Sequence, residues 1–497
     1  MTMGAATTVL AAAGGGPARH GLSLLHGWLP TTIEVVAAVL VLGAIGWRSR
    51  RWRLLWLPIA LAAGVGTTAW AHWYIDAQGL ADDPAPPELW IWIGVAGLAF
   101  AVLVLGWRSA RWRRRVVSVL AVSLCVLSVG VALNLWVGYF PTVQTAWNEL
   151  TAGPLPDQSN MATVTAMRQH HTVPAHGEVV PVSIPSTGSN FKHRTEYVYL
   201  PPAWFASPTV KLPTVMMVSG EFNTPADWLR TGNAAATIDM FATTHGGDAP
   251  VFVFVDAGGS FNNDTECVNG PRGNVADHLT KDVVPFMVST FDVSASGANW
   301  GVVGWSMGGT CSVDLTVMHP NVFSSFVDIA GDVGPNAGTK AQTIRRLFGG
   351  SAAQWAAYDP STVITKHGPY QGVSGWFAIS SDPPLRRESK PVAQNTDEEA
   401  VGLGGRDANG RTDDQTEAAN TLCSLGRANG IDCAVVATPG RHDWPFASKA
   451  FASSLPWLAG QIGTPGVARI PLPDSGSQTE TVPQSASLVA SAATARS

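Results

Sequence analysis

The sequence predicts an α/β domain, a mostly parallel sheet flanked by helices, preceded by four transmembrane helices. Three observations carry this. Charged residues are only 13% of the 497, and the apolar excess sits almost entirely before about residue 140. Four apolar stretches there, at about 29–47, 54–75, 89–107 and 116–140, approach the length of a membrane-spanning helix. Beyond about residue 160, short apolar runs alternate with helical patterns. The expected division is a membrane domain over 1–140, a linker over 141–160, an α/β domain over 161–463 and a disordered tail over 464–497.

The first span is the weakest, because Glu34 interrupts it. The loops decide the topology. Arg48, Arg50, Arg51 and Arg53 fill the first link, and Arg108, Arg111, Arg113, Arg114 and Arg115 fill the third. The middle link carries Asp76, Asp82, Asp83 and Glu88 and no basic residue. Short arginine-rich loops stay in the cytoplasm, so the acidic loop and everything after residue 140 are expected outside. Trp28, Trp73, Tyr74, Trp90, Trp136 and Tyr139 suit the two interfacial belts. The stretch 46–53 is echoed by 106–113, as in a duplicated hairpin. The spans hold few ionisable groups, which favours an anchor over a transport pathway. No basic residue precedes the run at 5–13 and Gly14 to Gly16 break it, so a cleaved signal peptide is not expected. The net charge is −5 with no basic tract in the soluble part, which argues against nucleic acid as a partner. Five cysteines match no zinc spacing, so neither metal nor cofactor is expected.

Eight strands are expected, over 179–184, 196–200, 214–218, 251–255, 301–303, 325–329, 376–380 and 434–437. Helices are expected over 226–243, 275–290, 307–319, 413–429 and 444–458, and a long turn-rich loop over 382–412.

The central chemical signal is Gly304-Trp305-Ser306-Met307-Gly308, followed by Gly309. A serine hydroxyl is a poor nucleophile until it is held out of a sheet against a base. A tight strand-turn-helix elbow does this, and glycines on both sides remove side chains that would clash. A buried-strand pattern before the motif and a helical one after it supply the required order, that of an α/β-hydrolase. The base must follow late in the chain. His442 lies after the last strand and just before a helix, where this fold puts its histidine. His170, His171, His319 and His72 are less well placed. The acid should lie between them at a strand end, to fix the imidazole tautomer. Asp382 is the choice and Glu388 the alternative; Asp413 and Asp414 read as helix N-terminal residues. Asp443 adjoins His442 and is poorly placed to reach Nδ1. The oxyanion donors are expected to be the amide of Met307 and one from Ser219-Gly220-Glu221-Phe222, namely Glu221, with Phe222 as the competing register.

The chain here resembles the esterase D and mycolyltransferase branch of α/β-hydrolases, which includes S-formylglutathione hydrolases. Ser219-Gly220, Gly304 to Gly308, His442-x-Trp444-Pro445 and the stretch Asp264 to Gly270 before a helix with Pro285 carry it, over about 175–460. The resemblance implies a Ser–acid–His triad and an acyl-serine intermediate, passed in mycolyltransferases to a sugar hydroxyl such as trehalose or arabinan. Those enzymes carry an arginine beside the oxyanion residue, where this chain has Phe222. They place a glutamate a little beyond the strand end, which keeps Glu388 open.

The leading reading is a membrane-anchored, extracytoplasmic serine esterase or acyltransferase acting on an acyl-ester or lipid substrate beside the membrane lipids. A silent hydrolase-like domain on a receptor, or on a transport module, is the reading from another class. An external domain folds where disulfides persist, so Cys267–Cys311 and Cys423–Cys433 are expected; the alternative is four reduced, buried thiols.

Overall fold

The computed structural model describes residues 22–473 except 47–48, 79–84, 138, 141, 152–154, 156–157, 208, 382–414 and 441. Four long apolar helices lead it: α1 (Trp28–Ile45), α2 (Leu57–Gln78), α3 (Pro87–Gly106) and α4 (Trp112–Val137). A π-helical turn over Trp52–Trp56 runs straight into α2. Each is long and apolar enough to cross a bilayer. The two ends of the bundle differ. At one, the Arg114 guanidinium lies over Gly46, which brings the two arginine loops together. At the other, Val143 N donates to Leu22 O at 2.9 Å, tying the chain before α1 to the chain after α4. The helices α2 and α3 meet on small residues: a Cβ on Gly64 would stand 2.5 Å from Gly94 O. Thr68 Oγ1 donates to Trp90 O across that seam at 3.2 Å. Close backbone approach and such hydroxyl bonds hold helices together where lipid removes the hydrophobic drive.

The segment expected as a linker is partly helical. A helix over Val143–Thr151 is followed by one over Met161–Gln169, capped by Asn160, which accepts from Thr163 N at 2.9 Å.

The sheet has eight strands: β1 (Glu178–Val182), β2 (Glu196–Leu200), β3 (Thr214–Val218), β4 (Val251–Val255), β5 (Trp300–Trp305), β6 (Ser325–Ile329), β7 (Ser374–Ser380) and β8 (Asp432–Thr438). Their order is β1-β2-β4-β3-β5-β6-β7-β8. The strand β2 runs antiparallel to both neighbours and every other pairing is parallel. This is an α/β-hydrolase fold. Along β3, Val215 and Met217 enter one core and Met216 and Val218 the other. Strands covered on both faces read as unbroken apolar runs, which is why they were visible in the sequence. The helices that matter for chemistry are α5 (Met307–Met318), α6 (Gln415–Ala428) and α7 (Trp444–Gln461).

Three expectations change. The single helix expected over 226–243 is two, Asp227–Arg230 and Ala234–Thr244, because Asn233 takes a left-handed φ of 52° between them. The helix expected over 275–290 contains a π-helical stretch at His278–Val283. Residues 464–473, expected within the tail, are packed: Val467 and Leu472 lie against the core, and Arg469 Nε donates to Gln461 Oε1 at 2.7 Å. Residues 474–497 and the loop 382–412 lie outside the described residues. Both expected disulfides are present. Cys267–Cys311 pins a loop to the first turns of α5, and Cys423–Cys433 ties α6 to β8.

Candidate active site

In open α/β sheets, ligands sit at the carboxyl ends of the strands where the strand order reverses. Here β3 lies between β4 and β5, and the chain leaving β5 reaches Ser306 at once. Ser306 has φ 58° and ψ −123°, a region that side-chain-bearing residues rarely occupy. Its N–H donates to Ile329 O at 2.9 Å and its carbonyl accepts from Gly309 N at 2.7 Å. The flanking glycines are demanded by backbone contacts. A Cβ on Gly304 would stand 1.6 Å from Gly308 O, and one on Gly308 would stand 2.3 Å from Val218 O.

His442 is delivered by the loop between β8 and α7, and its Nε2 lies 3.0 Å from Ser306 Oγ. The imidazole packs on Trp305, with centroids 4.2 Å apart. Asp443 caps α7, its Oδ1 accepting from Phe446 N at 3.0 Å. Crowding by protein pushes the His442 pKa down to about 4. The residue nevertheless keeps an exposed edge, so what matters chemically is the direction, towards the neutral base.

The side-chain amide of Gln415, at the start of α6, lies 2.8 Å from His442 Nδ1. With the amide nitrogen on that side, its N–H donates to Nδ1 and leaves the proton on Nε2. With the amide turned over, its oxygen accepts from Nδ1–H and frees the Nε2 lone pair for Ser306. Only the second arrangement suits a general base. Asp382 and Glu388 lie outside the described residues. The strand that leads to them ends against the histidine loop: Ser381 N donates to Thr438 O at 3.0 Å and Ser380 Oγ donates to Gly440 O.

Met307 opens α5, so its N–H has no acceptor within the helix. Across from it, Gly220 passes so near the nucleophile that a Cβ there would stand 3.1 Å from Ser306 Cβ. Glu221 follows, and then Phe222 turns the chain with a left-handed φ of 65°. This loop is held by residues that no motif announced. Arg194 Nη2 donates to Asn223 O at 2.9 Å, and the same guanidinium forks onto Asp256 at 3.1 and 2.6 Å. Burial alone would raise the Asp256 pKa; the bonds and charge of Arg194 outweigh it and hold the carboxyl below its usual range. Arg194, Gly220, Phe222, Asn223, Asn263 and Met307 line the pocket beside the nucleophile.

Among the described residues, His193, Glu196 and His278 have the spacing of a metal site. The hydrogen bonds argue otherwise. The His193 nitrogens lie 2.8 and 2.7 Å from the carbonyl oxygens of Arg194 and Ile184. Those of His278 lie 3.1 and 3.3 Å from carboxylate oxygens of Glu196 and Asp282. A ring nitrogen that donates to such an oxygen has no lone pair for a metal, and each of the four has such an oxygen within reach. The cluster is a buried polar tie beneath the Arg194–Asp256 pair, since Glu196 Oε1 also accepts from Asp256 N at 3.0 Å.

The arrangement, a serine on a strained elbow with an imidazole nitrogen 3.0 Å from its oxygen and the amide of Met307 beside it, can transfer an acyl group. The model of the Esterase family matches residues 189–455. An uncharacterized protein of Corynebacterium glutamicum is 28% identical over 459 residues, covering 89% of this chain and 98% of its own length. Among solved structures, the chain is similar to a ferulic acid esterase, at 16% identity over 57% of this chain and 99% of that one, with a TM-score of 0.41. It is similar too to an S-formylglutathione hydrolase from Agrobacterium tumefaciens, at 16% identity, the same two coverages of 57% and 99%, and a TM-score of 0.41.

Proposed function

The chain belongs to the Esterase family, and from that premise we propose that it is a membrane-anchored, extracytoplasmic serine esterase or acyltransferase. The observation that carries this reading is the 3.0 Å contact between His442 Nε2 and Ser306 Oγ on a strained elbow. Ser306 Oγ attacks the ester carbonyl carbon while its proton passes to His442 Nε2. The negative oxygen of the tetrahedral intermediate is held by the amides of Met307 and Glu221. Collapse breaks the carbon–oxygen bond to the leaving alcohol, which takes the proton from Nε2, and an acyl-Ser306 remains. Water, or a sugar hydroxyl such as that of trehalose, then attacks the acyl-enzyme with His442 again as base. Asp382, with Glu388 as the alternative, is the proposed acid on Nδ1.

The placement outside the membrane rests on the arginine loops, which meet at the end of the bundle opposite the joined segments before α1 and after α4. The spans serve as an anchor beside the membrane lipids. Acyl release from a simple ester, measured with and without trehalose, tests the reaction class. Faster release with acylated trehalose as product marks a transferase, and release indifferent to trehalose marks a hydrolase; no release in either case refutes the proposal.

A further inference from the structure

We infer that the catalytic pocket opens at the bilayer surface and draws its ester from the leaflet in which α2 and α4 end, so that the substrate is a long-chain lipid ester. This rests on the acyl chemistry proposed for Ser306 and goes on to say where its substrate comes from. One short loop touches both the pocket and the membrane helices. Ser260 and Asn263 line the pocket with Phe222 and Met307. Between them, Asn262 Nδ2 donates to Tyr74 Oη at 2.8 Å, and Tyr74 lies in the closing turns of α2, which ends at Gln78. The intervening Phe261 is 60% exposed, and its ring lies 5.4 Å from that of Phe222.

A second tether comes from the other hairpin. Tyr139, just past the end of α4, hydrogen-bonds Asp227, whose Oδ2 accepts from Thr224 N at 2.5 Å in the pocket wall. A third fixes the orientation: Arg272 and Arg346 donate to Gln78 O and Asp76 O, carbonyls at the negative end of α2. The helix end that receives these bonds also carries exposed Trp70 and Trp73, and exposed Trp147 follows α4 on the helix over Val143–Thr151. Such aromatics sit at headgroup level. The pocket wall is therefore one loop away from the depth at which lipid esters lie. At this approach the rings of Phe261 and Phe222 form an aromatic pair, a surface that suits an acyl chain leaving the leaflet.

The test uses the full chain reconstituted in phosphatidylcholine vesicles. A fluorogenic long-chain ester is placed in the same bilayer or supplied in separate protein-free vesicles at equal bulk concentration. The expected result is turnover about tenfold or more faster in the same-bilayer arrangement. Equal rates in the two arrangements would overturn the inference. Phe261→Glu puts a charge at the interface and is expected to lower the ratio of same-bilayer to water-soluble-ester turnover about tenfold; comparing the two rates on one preparation cancels any loss of folded protein. An unchanged ratio counts against the inference as well. A water-soluble short-chain ester, hydrolysed by the wild type and not by Ser306→Ala, reads the acyl chemistry separately. Its failure in the wild type would refute that chemistry, and the inference with it.

Discussion

His442 bridges Ser306 and Gln415, with Nε2 3.0 Å from the serine oxygen and Nδ1 2.8 Å from the glutamine amide. An amide can fix the imidazole tautomer but brings no charge to stabilise the imidazolium that forms in the transition state. A carboxylate does both. Asp382→Ala is therefore expected to lower turnover roughly a hundredfold or more. Gln415→Ala and Glu388→Ala should cost about tenfold or less. Steady-state kinetics of the three variants decide the matter: a crippled Gln415→Ala beside a mild Asp382→Ala would make the glutamine the working partner. A crippled Glu388→Ala would move the acid there.

The pH profile reads the same site differently. His442 acts as a base only while neutral, and crowding moves its pKa down from 6.5 to about 4. A lowered pKa keeps the lone pair available at lower pH. The acid limb of kcat/KM is thus expected between about 4 and 6.5. A limb at or above about 7 would mean that a carboxylate charge on Nδ1 outweighs the crowding.

Asp314 lies on α5 and is 3% exposed, and among the described residues neither carboxylate oxygen has a hydrogen-bond partner. Burial, and then the charges of Asp359 and Asp328, push its pKa well above 3.8. The folded state thus holds the proton more tightly than the unfolded one. Stability from this group is present below 3.8 and is lost as pH rises towards the folded pKa. Asp314→Asn cannot titrate, so its Tm relative to wild type should climb between about pH 4 and 7. A constant difference in Tm across that range would contradict the assignment.

His278 has the opposite sign. Burial would lower its pKa, but bonds to Glu196 and then Asp282 outweigh this and raise it above 6.5. Its contribution is full below 6.5 and fades as pH rises through the folded pKa. His278→Gln should therefore lower Tm most near about pH 6 and least near about pH 9. A deficit that grows with pH would show that the ring is buried neutral.

The strands β2, β3, β4 and β6 stand at the residues expected from sequence, since runs such as Val-Phe-Val-Phe-Val at 251–255 are buried on both faces and bounded by turns. The helices over Lys340–Leu347, Ala352–Tyr358 and Pro360–His367 escape the sequence, because at eight residues or fewer each is too short for an apolar period to repeat. At the site, Ser306 and His442 were legible from the elbow and from chain order. Arg194 and Gln415 were not. Arg194 reaches Asn223 across 29 residues and Gln415 reaches His442 across 27, and local pattern carries no trace of such pairings. The tyrosine tethers were half visible: Tyr74 and Tyr139 read as interfacial aromatics, but their partners Asn262 and Asp227 belong to loops with no periodicity.

The central claim is that Ser306 is a nucleophile activated by His442. Labelling of the full chain with a fluorophosphonate, followed by mass spectrometry of the elbow peptide, measures this most directly. The expected result is a single adduct on Ser306, absent in Ser306→Ala and formed at least about a hundredfold more slowly in His442→Ala. An unlabelled Ser306 in the folded protein, or labelling at a rate unaffected by His442→Ala, would contradict the account.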